Sequence, residues 1–337
     1  MIGVTGTGDW PGLDVLEAQQ VAVGDLVDAP EGVQGLPFVV HLPERGPLGT
    51  LVGRGLAMLV DLPAELGPHG WKLADRPGAD LARGHALLRE DGDALAVAGH
   101  GYAGPLVVPV LGPVTLAASV YLARGDRVLA DAGAFRELTQ SLAAGVAEHL
   151  AALVRAVPGA APRVLVHEPL LAPATAGVLP TFSGYARLRS VPAPLAAERI
   201  GEVVRATRAA GAEDVAVHGG AAWSTVSTIA TTGADGLAIE VAGLGEAGWE
   251  RVAAVVEDGL RLWAHLPPQA SSQCAGPDAV GQARTLTAPW RSVGLPAAGL
   301  AEVVLLAGQP AGTPDEARGA LAGVVRAARA VAEVAYA

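Results

Sequence analysis

The chain is predicted to fold as an α/β protein, a single (β/α)8 barrel. Three observations predict it. Short strand-like segments alternate with amphipathic stretches from end to end, each segment is apolar on both faces, and 337 residues suit one large barrel domain spanning 1–337. The strand candidates are residues 2–8, 37–42, 105–111, 163–167, 214–218, 236–241, 260–266 and 302–306. All are short and rich in Val, Leu or Ile, as parallel strands covered by helices should be.

Helical signals fill the intervals. After the N-cap candidate Asp131, the residues Phe135, Leu138, Leu142, Val146, Leu150 and Leu153 recur at helical spacing. The last helix opens on Thr313-Pro314-Asp315-Glu316, a capping box with proline at its first position, and its apolar face runs through Leu321, Val324, Val325 and Val331. A doubly wound nucleotide-binding sheet is disfavoured. Gly6-Thr7-Gly8 leads into Asp9-Trp10-Pro11 instead of opening a helix, and no acidic residue closes a second strand at the usual distance. The proline-rich stretch 169–195 reads as a long loop near the barrel mouth.

Composition narrows the function. The chain is 51% hydrophobic, yet no apolar run approaches the roughly 18–20 residues that span a bilayer, so no membrane segment is expected. A net charge of -11 argues against nucleic acid, which needs a basic face to displace counterions. The basic residues are arginine apart from Lys72, a pattern of GC-rich coding. Aromatics are only 4%, too few for base-stacking platforms, which leaves a small molecule as the expected ligand. Met1-Ile2-Gly3-Val4 enters a strand-like segment without a basic leader, so a cytoplasmic location is the expectation. The one cysteine, Cys274, excludes an internal disulfide and any two-cysteine metal site.

Barrel enzymes carry reactive groups at the C-terminal ends of their strands. Those ends supply Asp9, the sequence His167-Glu168-Pro169, His218 in Val217-His218-Gly219-Gly220, Glu240, Cys274 after the seventh strand, and Gly308-Gln309 after the eighth. His167, Glu168 and Asp9 are the candidate catalytic groups. For substrate binding the candidates are Asp9, Trp10, Thr115 and His167.

At these positions the sequence resembles the barrel domain of cobalamin-independent methionine synthases, particularly short, single-barrel actinobacterial members. Gly6-Thr7-Gly8-Asp9-Trp10-Pro11-Gly12 is similar to their G-x-G-S-W-P-G element. A second segment is matched by Leu42-Pro43-Glu44-Arg45-Gly46, Gly53-Arg54 and Leu59-Val60-Asp61-Leu62-Pro63. Leu111-Gly112-Pro113-Val114-Thr115-Leu116 resembles G-P-[VI]-T, and Glu168-Pro169-Leu170-Leu171 resembles D-E-P-x-L. Val217-His218-Gly219-Gly220 resembles V-H-x-C, and Ala311-Gly312-Thr313-Pro314 the tail of C-G-L-A-G-x-[ST]-P. These motifs run in the family's order along the whole chain.

The resemblance implies zinc-assisted methyl transfer to a thiol, with the thiol's pKa lowered by the metal. Carried across, His218 and Glu240 match two zinc ligands, while the family's cysteines fall on Gly220 and near Gly308. Two protein ligands do not hold zinc tightly. Cys274 would restore a three-ligand set of His218, Glu240 and Cys274; the alternative is that no metal binds. The amino-acid contacts are altered too. Asp9 stands where the family has serine beside the substrate carboxylate, and His167 where its aspartate pairs with the ammonium. At ~4 Å and an effective dielectric near 20, each reversed pair is worth roughly 4 kcal/mol, which disfavours homocysteine. Three readings stay open: an altered alkyl-transfer enzyme, a non-catalytic relative, or metal-free acid–base chemistry, for which uroporphyrinogen decarboxylase-like barrels are the precedent.

Overall fold

A computed structural model describes residues 1–266, 278–308 and 312–336. Eight strands form one parallel sheet. In chain order they are β1 (Ile2–Gly6), β2 (Val33–Gly35), β5 (Ala103–Leu111), β6 (Gly159–His167), β7 (Asp214–His218), β8 (Gly236–Glu240), β9 (Arg261–Leu266) and β10 (Val304–Ala307). Their order in the sheet is β2-β1-β10-β9-β8-β7-β6-β5. The two ends meet through the residues after β2: Val39 N donates to Val107 O at 2.9 Å and Val107 N to Pro37 O at 2.8 Å. Ring closure leaves no free edge. The fold is a (β/α)8 barrel.

Seven of the expected strands fall on ladder strands. The eighth, 37–42, is displaced: the ladder lies at Val33–Gly35, and 37–42 contributes only the isolated parallel bridges Phe38–Val107 and His41–Asp9. This segment has to turn from β1 onto β5, which breaks regular pairing with either neighbour. The sequence did not predict the antiparallel hairpin of β3 (Ala64–Gly67) and β4 (Gly70–Leu73). The hairpin is tied to the chain beyond β5 by Leu73 N to Tyr121 O at 2.8 Å and Tyr121 N to Trp71 O at 2.9 Å.

Helices α1 (Val15–Val27), α2 (Leu51–Met58), α3 (Ala79–Ala98), α4 (Pro113–Ser119), α5 (Ala132–Ala156), α6 (Leu171–Ala176), α7 (Ala193–Ala209), α8 (Val226–Ala230), α9 (Gly245–Glu257), α10 (Ala279–Ser292) and α11 (Pro314–Ala335) pack around the sheet. Asp131 caps α5 through Ala134 N, and Thr313 with Glu316 forms the capping box of α11. Residues 169–195 comprise α6, an irregular stretch bridged at Pro180–Arg187, and the start of α7. Phe182 N donates to Asp126, and the Phe182 ring packs edge-on against Tyr121 and His69. At the opposite barrel end, Arg261 pairs with Asp214 at 2.9 Å and Arg208 with Asp235 at 2.6 Å, clamping β7, β8 and β9 at the face that serves stability. Among the described residues no helix is long and apolar enough to cross a membrane.

Candidate functional site

Register brings the polar strand ends together. His167 lies beside His218 across β6–β7, Glu240 beside His265 across β8–β9, and Asp9 beside His41 in the bridge after β1. Register partners in a parallel sheet project to the same face, so histidines from four strand ends converge on the C-terminal mouth. They are half of the chain's eight histidines.

Three of them are joined in series. His167 Nε2 lies 3.0 Å from Thr7 O, His167 Nδ1 3.2 Å from His218 Nδ1, and His218 Nε2 3.3 Å from His265 Nδ1. Burial pushes His167 and His265 down to about 4 from the ordinary 6.5, and it holds His218 well below that value, with His167 and His265 adding repulsion. All three rings are therefore neutral at pH 7. Their tautomers follow from one acceptor. A carbonyl only accepts, so His167 donates from Nε2 to Thr7 and accepts at Nδ1 from His218 Nδ1–H. His218 then accepts at Nε2 from His265 Nδ1–H. Among the described residues the series ends on a lone pair at His265 Nε2 that no group meets, on the most exposed of the three rings.

Carboxylates flank the series. Asp9 Oδ1 lies 2.7 Å from His41 Nε2. Burial raises the Asp9 carboxyl, but the hydrogen bond and charge of His41, then His167 and Arg54, outweigh it and set its pKa below the ordinary value. At the other end Glu240 Oε1 is 4.0 Å from His265 Nδ1, in a half-exposed position.

Glu168 and Thr115 meet at the N-terminus of α4. Glu168 is fully buried and accepts from Val114 N at 2.9 Å, Thr115 N at 2.7 Å and Thr115 Oγ1 at 2.6 Å. Burial pushes its carboxyl up to about 7, while these three donors pull it down. Gly112 leaves the carboxyl its space, since a Cβ there would overlap Glu168. Gly112-Pro113-Val114-Thr115 and Glu168-Pro169 are thus two halves of one cap, which joins the start of α4 to the end of β6. Trp10 is buried and packs its ring 6.3 Å from Phe38.

No family model matches this chain, and no curated protein matches it. Among solved structures it is similar to a B12-independent methionine synthase from Shewanella sp. W3-18-1 in complex with selenomethionine. The identity is 13%, the match covers 78% of this chain and 70% of that one, and the TM-score is 0.48. A structure described as native KDPGal is 14% identical, with coverage of 99% and 97% and a TM-score of 0.39. The barrel rests on its own strand order and register, and these likenesses assign no activity.

The zinc set read from the sequence, His218, Glu240 and Cys274, has its third member outside the described residues. Both ring nitrogens of His218 are engaged by other histidines, Glu240 stands beside His265, and no group of three or more His, Cys, Asp or Glu is arranged to hold a metal ion among the described residues. Cys274 lies outside the described residues, as does Gln309. Gly220, at the position matched to a family cysteine, has φ 72, a left-handed conformation that penalises any side chain, although a Cβ there would meet only the Pro169 backbone at an ordinary contact distance of 3.9 Å. Gly220→Cys is accordingly expected to fold with a loss of about 1–2 kcal/mol, read by urea unfolding; an unchanged or raised stability would contradict the backbone argument.

His41, His265 and the Thr7 carbonyl escaped sequence reading. His41 and His265 each stand at a strand's C-terminal end, the signal that identified His167 and His218. The Thr7 carbonyl has no sequence signal at all.

Proposed function

We propose that the mouth of this barrel is a metal-independent acid–base site that moves a proton to or from a small polar molecule, on a scaffold distantly akin to cobalamin-independent methionine synthases. The single observation that supports it is the series Thr7 O, His167, His218, His265, in which every tautomer is fixed and one nitrogen is left free among the described residues.

The route balances. His265 Nε2 takes a proton from the substrate, and His265 passes its Nδ1 proton to His218 Nε2. His218 passes its own Nδ1 proton to His167 Nδ1. One proton enters, and the positive charge comes to rest on His167, where the Asp9 carboxylate and the Thr7 carbonyl favour the charged ring against its burial and the opposing charge of His41. Reversal of the steps returns the proton to the substrate. The charge is thus held two rings away from the reacting atoms. Glu168 acts as a positioning residue: it bonds α4, and its backbone N–H donates to His218 O at 2.8 Å.

Two measurements test this reading. In ¹⁵N-histidine spectra at pH 7, His167 should be the Nε2–H tautomer and His218 and His265 the Nδ1–H tautomers. In D₂O, a mixture of small carbonyl metabolites should gain deuterium at an acidic carbon only when the protein is present. His265→Gln should slow that exchange by about 100-fold or more. Exchange undiminished in His265→Gln, no protein-dependent exchange, or one equivalent of zinc bound through His218 would each overturn the proposal.

A further inference from the structure

A second site lies outside the barrel, in the groove between α3 and α5. It encloses about 980 Å³, within the range of small-molecule sites. Its floor is apolar, formed by Met58, Leu59, Leu62, Leu81 and Leu88. Helix α5 crosses the segment 58–63 closely: a Cβ on Gly145 would overlap the Met58 carbonyl, and Ser141 Oγ donates to Val60 O at 2.7 Å. The floor is therefore held in place.

The rim is charged with both signs. Arg89 and Arg155 stand on α3 and α5, with Asp61, Asp75 and Glu148 around the same opening. None of these five makes an ion pair or side-chain hydrogen bond with another described residue. The other arginines next to acids in this region behave differently: Arg45 bonds Asp91 and Glu90, and the buried Arg54 bonds Asp91. Inside the groove stands His149, partly buried and without a hydrogen-bond partner among the described residues. Burial, aided by the charge of Arg54, drives its imidazole down to about 3, so it meets a ligand as a neutral donor and acceptor. An apolar floor beneath unpaired cations and anions is complementary to a molecule with the same three parts.

We infer that this groove binds a small zwitterion with an apolar side chain, of the α-amino-acid class. Its carboxylate is taken by Arg89 and Arg155, its ammonium by the acidic rim, and its side chain by the leucine and methionine floor. The site is separate from the mouth in its residues, yet Arg54 acts electrostatically on both His149 and Asp9, which gives the two sites a shared charged neighbour.

Calorimetric titration of the full chain with L-leucine tests the inference. 4-Methylpentanoate, which lacks the ammonium, and isoamylamine, which lacks the carboxylate, serve as the two half-ligands. Leucine should bind saturably, and each half-ligand at least tenfold more weakly. Arg89→Ala/Arg155→Ala should weaken leucine at least tenfold, and His265→Gln should leave it unchanged. No saturable leucine binding, equal binding of a half-ligand, or loss of binding in His265→Gln would overturn the assignment. Because His265→Gln affects only the mouth, failure of this site and failure of the proposed proton relay are read separately.

Discussion

Acidification from pH 7 to pH 5 is expected to lower the unfolding free energy by at least about 2 kcal/mol, because the buried histidines outweigh the buried acids that oppose them, Glu168 and Asp214. In the unfolded chain a histidine takes its proton near pH 6.5, whereas folded His167 and His265 do so only at about 4. Their stabilisation is complete above pH 6.5 and is lost as the pH falls toward 4. By pH 5 each has lost on the order of 2 kcal/mol. His218, held well below 6.5, acts in the same direction. His149, at about 3, does so too, discounted because it is partly open to water. Glu168 has the opposite sign. Its folded pKa is raised to about 7, so its contribution is complete below the ordinary 4.5 and is lost as the pH rises through 7. Acidification to pH 5 therefore returns on the order of 2 kcal/mol from Glu168, less than the histidines lose. Urea unfolding at pH 7, 6 and 5 reads the balance. A His265→Asn variant should show a shallower slope, and wild-type protein as stable at pH 5 as at pH 7 would refute the neutral, buried state of the series.

The parts of this molecule that depend on periodicity were legible in its sequence. Two-sided apolar runs located seven barrel strands, and Asp131 and the Thr313–Glu316 box located their helix starts. Residues 37–42 were less well placed because their apolar pattern reports burial, while the backbone there turns between two partners and pairs regularly with neither. The hairpin β3–β4 gave no clear alternation, with only Ala64 and Trp71 buried along its two strands. At the site, chain position identified His167, His218, Glu240 and Asp9, but their partners depend on register. A strand end does not reveal that His218 will spend both nitrogens on other histidines. Nor does it reveal that Glu168 will turn toward α4, one residue after a histidine that turns toward the mouth. That divergence is the pleat itself: consecutive residues at a strand end face opposite ways.

Glu168 therefore carries the second large expected effect. Measured at pH 8, above its raised pKa, Glu168→Ala should cost about 4 kcal/mol, since it leaves two backbone N–H groups and the Thr115 hydroxyl without their buried acceptor. Glu168→Gln should cost nearly as much, within about 1 kcal/mol of the alanine variant. All three partners donate, and an amide turns one NH₂ donor toward them. Gly112→Ala disturbs the same cap from the other side, where its Cβ would displace the carboxyl. Each variant should also blur the tautomer pattern of His167 and His218, because Glu168 directly follows His167 and its N–H holds His218 O. A Glu168→Gln protein that loses less than about 1 kcal/mol at pH 8 would show that the native side chain is a protonated acid. The cap would then be a neutral hydrogen-bond network and not a carboxylate held by the N–H groups of α4.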